Sequence, residues 1–298
     1  IMALSNFINA ISLWSFLPKY IDFKKVSLDR VFSHFKPAAI LLIPNLAVGL
    51  YTLMDKVMLG KLSNVAQVAF YYSAEKITNI PMGFIVAFGN VMMPRSAFLV
   101  ESGSHDLIKE NIRKSIKFNI LLSSALAFGI SAIAPLFIPL FFGPRFARAG
   151  EVTVFLSIII IFKSWAIVLR KQYLIPYNRD KDFTLSVVLG ALVNLIANAI
   201  LIPKFQALGA VFGTILAEFA VALYQTIAVR NDLDIRRYLR ESYIYILIGA
   251  AMFAVIKLIN IYTPQNLIGV FIEVLVGAVI YLSLVYFFTP DRDEILKM

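Results

Sequence analysis

The chain has no cysteine and only two histidines among its 298 residues. The absence of cysteine excludes disulfides, thiolate nucleophiles and cysteine-ligated metal centres. Neither His34 nor His105 has a metal-ligating partner at helical spacing, so we expect both to be solvated loop residues. The sequence also lacks a glycine-rich phosphate loop, which argues against ATP hydrolysis. We therefore predict no bound metal or organic cofactor.

Charged residues are scarce as well: they form 15% of the chain, hydrophobic residues form 60%, and the mean hydropathy is +0.80. A soluble domain of this composition would have more apolar surface than it could bury. Backbone groups in lipid need internal partners, and no alternating barrel pattern is present, so we predict an all-α polytopic membrane protein. Its apolar runs, all but the first near the roughly 20 residues that cross a bilayer, are Ile1–Leu17, Pro37–Met58, Val68–Met93, Ile116–Phe142, Val152–Leu174, Phe183–Ile202, Leu208–Val229, Tyr243–Tyr262 and Leu267–Phe288.

The positive charges follow the order of these runs. The formal net charge is +10, and lysines and arginines concentrate in alternate loops. Twenty of them lie in four loops and the C-terminal tail, whereas the opposite loops hold five. The positive-inside rule places the richer side and the C-terminus in the cytoplasm. Membrane topology thus explains the net positive charge, and no nucleic-acid partner is predicted.

Three charged side chains are predicted near the middle of the membrane. Glu75, Lys163 and Glu218 each lie roughly 14–16 Å below the outer end of their helix, at about 1.5 Å per residue. Secondary transporters place substrate and coupling-ion sites at this depth. Arg170 follows Lys163 by seven residues on one helix face, so this pair is our candidate for binding an anionic group. The alternative is that Glu75 or Glu218 neutralises Lys163 merely to hold helices together.

Asp55 and Lys56 lie together near one end of the otherwise apolar stretch 40–60. A charged side chain in hydrocarbon costs roughly 2.5–3.5 kcal/mol on insertion scales, so it persists where it faces water, a partner or a substrate. An anchor at the water interface is the alternative. With Glu75 and Glu218, Asp55 is a candidate for coupling transport to protons or sodium.

Two further pairs of polar residues occur in apolar runs. Asn194 and Asn198 lie four residues apart on one helix face, where they either hydrogen-bond between helices or line a polar substrate cavity. Lys257 and Glu273 have matching depths on successive helices, which predicts a structural ion pair.

Small residues and a proline predict how some helices pack. Gly209, Gly213 and Ala217 form a stripe at four-residue spacing that permits close helix contact. Pro81 and Gly83 interrupt the helix that contains Glu75 and are candidates for a bend.

Two long stretches carry a resemblance to a known family. Tyr51–Ile77 reads YTLMDKVMLGKLSNVAQVAFYYSAEKI and is followed by VMMPR at Val91–Arg95. Pro176–Glu218 contains an Asn-rich helix, an Ile-Pro turn, a Leu-Gly-Ala step and an acidic residue in the next helix. Together they resemble the C-terminal lobe of Wzx-like polysaccharide repeat-unit flippases, a branch of the multidrug/oligosaccharidyl-lipid/polysaccharide (MOP) superfamily. The likeness covers nearly the whole chain.

The resemblance implies a V-shaped exporter of two six-helix lobes plus two extra C-terminal helices, a bundle shared with multidrug extruders (MATE-like). In that frame the chain is a C-terminal portion. Its expected parts are residues 1–17 as the end of a truncated N-lobe, 18–36 as a cytoplasmic amphipathic linker, 37–229 as the six-helix C-lobe, 230–242 as a basic cytoplasmic loop, 243–288 as the two extra helices and 289–298 as a cytoplasmic tail.

The resemblance also implies a function, which is to flip undecaprenyl-diphosphate-linked oligosaccharide repeat units for O-antigen, capsule or similar polysaccharide. The expected location is the bacterial cytoplasmic membrane. The expected partners are the lipid-linked oligosaccharide, membrane lipids, and the polysaccharide polymerase and chain-length machinery. A lipid II flippase and a MATE-type multidrug/cation antiporter are the alternatives. A glycosyltransferase or polymerase would need a sizeable outer catalytic loop or an acidic metal motif, and neither is present, so we predict a transporter rather than an enzyme.

Overall fold

The computed structural model describes residues 2–16, 27–33, 35, 42, 49 and 53–289, and the regular structure among them is helical. The chain divides into two units, Ile1–Ile43 and Pro44–Met298. The helices of the first unit are α1 (Met2–Phe16) and α2 (Leu28–Ser33). Those of the second are α3 (residues 53–62), α4 (Val65–Glu101), α5 (His105–Phe142), α6 (Ala147–Leu156), α7 (Ile159–Leu169), α8 (Asp180–Phe205), α9 (Ala207–Val229), α10 (Ile235–Ile259) and α11 (Leu267–Phe288).

Six of the described helices are long and apolar enough to cross a membrane, namely α4, α5, α8, α9, α10 and α11. A seventh span results if the bent pair α6 and α7 crosses as one unit. The predicted all-α polytopic membrane fold is confirmed. The predicted linker 18–36 and the run Pro37–Met58 lie mostly outside the described residues.

Two basic stretches between the predicted apolar runs are largely helical. The basic stretch 95–117 belongs to α4 and α5, which are joined by the short turn Ser102–Ser104. Gly103 adopts a φ of 68° there, a conformation that suits glycine because it has no side chain. At 230–242, α10 already begins at Ile235. Helical backbone bonds continue into the charged ends because they remain favourable outside the hydrocarbon, where long basic side chains reach water.

The predicted helix Val152–Leu174 is broken rather than continuous. The segments Pro144–Leu156 and Ile159–Leu174 meet at an angle of 42°. Near the break, the hydroxyl of Thr153 donates to the carbonyl of Ala149, and that of Ser157 donates to the carbonyl of Thr153. Such bonds from a side chain to the preceding turn often bend a helix. A π-helical turn follows at Arg170–Leu174.

By contrast, α4 continues through Pro81 and Pro94 without ending at either proline. The candidate bend at Pro81 and Gly83 therefore does not break the helix. Many of the large side chains exposed on the bundle are apolar, as at Phe84, Ile196 and Phe287. Asn119, Gln172 and Asn194 are among its buried polar residues. This distribution suits a protein whose outer face meets lipid and whose polar groups find partners inside.

The small-residue stripe packs as predicted. A Cβ atom at Gly209 would lie 2.7 Å from the backbone nitrogen of Ile202 and closer still to Leu201, and one at Gly213 would overlap the side-chain amide of Asn198. On α8, a Cβ at Gly190 would meet Val221 of α9. The two helices can therefore approach closely, which brings their polar side chains to one point.

The last two helices pack against α5. A Cβ at Gly249 on α10 would touch the ring of Phe128, and the Tyr281 hydroxyl on α11 donates to the carbonyl of Leu121 at 2.7 Å. A Cβ at Gly277 on α11 would meet Ile256 of α10. Both helices thus belong to the same bundle as α3–α9.

Replacing Gly209 by alanine tests the close contact of α8 with α9. We expect Gly209→Ala to lower the free energy of unfolding by about 1–3 kcal/mol, because its methyl group would overlap rigid backbone. Gly83→Ala is the matched control, since a Cβ at Gly83 meets nothing within 4 Å. Thermal unfolding of the purified variants measures both. Equal melting temperatures for the two variants would contradict the packing described here.

Candidate functional site

Asp55 is the centre of a buried polar network. It lies on α3, is only 2% exposed, and accepts hydrogen bonds at both carboxylate oxygens. Its Oδ1 accepts from Asn194 Nδ2 at 2.9 Å and Asn198 Nδ2 at 2.6 Å. Its Oδ2 accepts from the Tyr71 hydroxyl at 2.6 Å and Thr214 Oγ1 at 2.9 Å. Four helices therefore meet at one carboxylate, and this burial does not fit an anchor at the water interface.

The network is rich in oxygen atoms. Asn198 Nδ2 also lies 3.1 Å from Asn194 Oδ1, and the hydroxyls of Tyr71 and Thr214 are 3.0 Å apart. The buried Oδ1 of Asn198 has no hydrogen-bond partner in the part of the chain that the structure describes. Oxygen atoms of this kind are ligands for hard cations. No cluster of three His, Cys, Asp or Glu side chains that could hold a metal occurs among the described residues.

Glu75 pairs with a lysine of α3. Its carboxylate lies 2.7 Å from the Lys56 ammonium, so of the two carboxylates that could neutralise Lys163 it is Glu218 that does so. Lys56 follows Asp55 on α3, and Glu75 lies one helical turn beyond Tyr71 on α4. Both side chains of the Lys56–Glu75 pair are partly exposed, at 24% and 19%. The pair thus forms a more open neighbour of the Asp55 network.

Lys163 and Arg170 line one cavity, as their spacing predicts. The cavity has a volume of about 280 Å³. Lys163 Nζ lies 3.3 Å from Glu218 Oε1, so the predicted alternative of neutralisation applies to this pair. The guanidinium of Arg170 lies 5.2 Å from the ring centre of Phe183. Other polar lining residues are Asn79 and Gln225.

Helix α9 links the cavity to the Asp55 network. Thr214, which donates to Asp55, lies one turn before Glu218, which pairs with Lys163. Glu218 is the middle residue of α9, which agrees with its predicted depth. A shift of α9 along or about its axis would therefore change both contacts together.

Sequence reasoning missed two members of the network, Tyr71 and Thr214. Each lies four residues before an acidic residue that was singled out, Glu75 or Glu218, and thus on the same helix face. A search for polar partners at this spacing would have found them. Of the two readings left open for Asn194 and Asn198, the structure shows hydrogen bonds between helices, and their partner is Asp55.

The predicted ion pair of Lys257 and Glu273 is wrong, because each side chain has other neighbours. Glu273 Oε1 accepts hydrogen bonds from Asn260 Nδ2 and Thr263 Oγ1, both at 2.7 Å. The ammonium of Lys257 lies 5.8 Å from the ring centre of Phe253. Among the described residues, Lys257 and Glu273 therefore do not form the predicted ion pair. Matching depth does not produce a contact here because the turn between α10 and α11 offers Glu273 nearer donors.

These features define a class of protein. It is a multi-pass helical membrane protein with a buried carboxylate network and a cationic cavity between its helices, an arrangement typical of secondary transporters. The model of the family described as "Polysaccharide biosynthesis protein" matches residues 2–151, half of the sequence. The chain belongs to this family, which confirms the resemblance seen in its residues.

Two relatives and one solved structure extend the comparison. The "probable low-salt glycan biosynthesis flippase Agl15" of Haloferax volcanii is 24% identical over 95% of this chain and 60% of its own length. A "putative O-antigen transporter" of Shigella dysenteriae is 22% identical over 62% of this chain and 46% of its own length. The chain thus spans about half of the length of these relatives. The structure "Lipid II flippase MurJ, inward closed conformation" has the same fold, with a TM-score of 0.74 and 16% identity over 95% of this chain and 59% of that one.

Comparing two carboxylates tests the role of Asp55 in the fold. In Asp55→Asn, an amide nitrogen replaces one acceptor and faces two donors, so we expect a loss of about 1–3 kcal/mol in the free energy of unfolding. Glu75→Gln alters a partly exposed pair and should cost less than about 1 kcal/mol. Thermal unfolding in detergent measures both. If Glu75→Gln lowers the free energy of unfolding as much as Asp55→Asn does, the Asp55 network stabilises the fold no more than the Lys56–Glu75 pair.

Proposed function

We propose that this chain is part of a MOP-type flippase that moves lipid-linked oligosaccharides across the cytoplasmic membrane by alternating access. Residues 37–229 would supply one lobe, and α10 and α11 the two further helices. The observation that carries the proposal is the cationic cavity of Lys163 and Arg170 in a member of a polysaccharide biosynthesis family. The names of the relatives support it, since they describe a glycan flippase and an O-antigen transporter.

The chemistry of the cavity fits a lipid diphosphate. Such a group carries about two negative charges, and lysine and arginine meet these with charge-assisted hydrogen bonds. In the absence of substrate, Glu218 holds the Lys163 ammonium in place and offsets the cost of its charge. An arriving diphosphate can replace Glu218 as the partner of the Lys163 ammonium, while Arg170 binds a second phosphate oxygen. Asn79 and Gln225 are within the same cavity and can hydrogen-bond to the first sugar.

The specific substrate we propose is an undecaprenyl-diphosphate-linked repeat unit of O-antigen, capsule or a similar polysaccharide. The host membrane would be bacterial, and the Haloferax relative fits an archaeal cytoplasmic membrane equally well. The distribution of basic residues supports a cytoplasmic C-terminus. Polymerase and chain-length proteins are the partners that such a substrate implies.

We further propose that Asp55 is the carboxylate that couples transport to an ion, a proton or sodium. Glu75 and Glu218 were equal candidates in the sequence, but each lies beside an ammonium, that of Lys56 or Lys163. All hydrogen bonds to Asp55 come from neutral groups. A cation or proton bound there would remove a buried negative charge and change the geometry of Thr214 on α9. Transport that keeps its full ion dependence in an Asp55→Asn variant would refute this assignment.

Complementation tests the proposed flipping. The full-length gene is expressed in a strain that lacks its own repeat-unit flippase, and surface polysaccharide is scored at matched membrane levels of protein. We expect the wild type to restore surface polysaccharide. Lys163→Ala and Arg170→Ala should each lower the amount of surface polysaccharide at least about tenfold, because each removes a charge-assisted bond to the diphosphate. Lys257→Ala is the matched control, since this lysine also lies in a membrane helix but outside the cavity.

Three outcomes separate the possibilities. Full activity of both cavity variants would remove Lys163 and Arg170 from the site while keeping the function. A loss in Lys257→Ala equal to theirs would point to a general effect of charge or folding. Failure of the wild type in several recipient strains, together with export of cationic dyes, would replace flipping with drug extrusion.

A further inference from the structure

A second polar cavity lies where α5, α10 and α11 meet, at the end of the bundle that carries the basic residues. It has a volume of about 280 Å³, and Lys117, Arg240, Tyr243 and Thr289 are among the residues that line it. None of its lining residues is shared with the cavity of Lys163 and Arg170. The two are therefore separate sites.

The cavity is at the level where the apolar parts of three helices end. The apolar run of α5 begins at Ile116 and that of α10 at Tyr243, and the run of α11 ends at Phe288. Tyr243 and Phe288 are both exposed and line the cavity. Aromatic residues are enriched at the membrane–water interface, where lipid head groups lie. The opening of this cavity is thus expected to face the head groups.

Two basic side chains and one acidic side chain line the cavity. Its one carboxylate, Glu241, is already bound by Arg113 at 2.6 Å and by Arg237 at 2.7 Å. Arg240 is exposed and makes no ion pair with a residue that the structure describes. The Lys117 side chain, only 2% exposed, brings a second cation to the cavity wall.

A neutral donor completes the arrangement. The hydroxyl of Thr289 is buried and has no hydrogen-bond partner within residues 53–289. Together with the guanidinium of Arg240 and the ammonium of Lys117, it can donate to the oxygens of a phosphate. Arginine is well suited to this task because its planar group forms two parallel hydrogen bonds with phosphate.

We propose that this cavity binds the phosphate group of an anionic membrane lipid. Basic pockets between membrane helices recognise such head groups. The exposed aromatic side chains of Tyr243 and Phe288 at this cavity place the acyl chains beside α10 and α11. A free phosphate ion would use the same cations but would gain nothing from Tyr243 and Phe288. Lipid binding at this cavity requires only that the helices span a membrane, and it does not depend on what the protein transports.

Lipid binding to the purified full-length protein in detergent tests the proposal. The probes are phosphatidylglycerol, phosphatidylcholine with the same acyl chains, and inorganic phosphate, with bound lipid counted by native mass spectrometry over a titration. We expect the wild type to bind phosphatidylglycerol at least about tenfold more tightly than phosphatidylcholine. Arg240→Gln and Lys117→Met should each weaken the binding of phosphatidylglycerol by about tenfold, because each deletes one charged donor. Most of the preference over phosphatidylcholine would then be lost.

Arg236→Gln is the matched control, since Arg236 is exposed on the same helix but does not line the cavity. It should keep the preference for phosphatidylglycerol. Equal losses in Arg236→Gln and Arg240→Gln would replace a defined site with general surface attraction and overturn the proposal. An unchanged preference in both cavity variants, or competition by millimolar inorganic phosphate as strong as that by the lipid, would overturn it as well.

Discussion

The carboxylate of Asp55 is the constraint on which the rest of the site depends. A buried charge is costly unless its hydrogen bonds are satisfied, and four donors from three other helices satisfy this one. The rotations of α4, α8 and α9 about their axes are thereby set relative to α3. Because Thr214 faces Asp55, Glu218 one turn later faces Lys163, and the cationic cavity follows from the buried network.

Close packing of α8 against α9 makes this network possible. The missing side chain at Gly213 leaves the space that the amide of Asn198 occupies, and Gly209 lets the backbones of both helices meet at Leu201. Apolar side chains cover the outside of the bundle, where burial from water gives no advantage in lipid. Specific contacts between helices must therefore come from small residues and from polar pairs such as these.

Much of the architecture could be predicted from sequence because it follows from composition and length. Apolar runs long enough to cross a bilayer predicted the six spanning helices α4, α5, α8, α9, α10 and α11, and a seven-residue spacing placed Lys163 and Arg170 on one cavity. The predicted partner of Glu273 was wrong, and the choice between Glu75 and Glu218 as the partner of Lys163 stayed open, because depth in the membrane does not specify rotation about the helix axis. The break between α6 and α7 was missed since Thr153 and Ser157 can also occur in straight helices, and hydropathy does not report their hydrogen bonds to the backbone.

In the proposed function, transport of a lipid-linked glycan depends on an ion that acts at Asp55. The most direct measurement is the rate of transbilayer movement of a fluorescent lipid-diphosphate oligosaccharide in vesicles that contain the full-length protein, with a sodium or a proton gradient imposed separately. We expect one gradient to accelerate this movement in the wild type and in Glu75→Gln but not in Asp55→Asn. Movement no faster than in protein-free vesicles, or equal acceleration in Asp55→Asn, would contradict the proposed coupling of transport to Asp55.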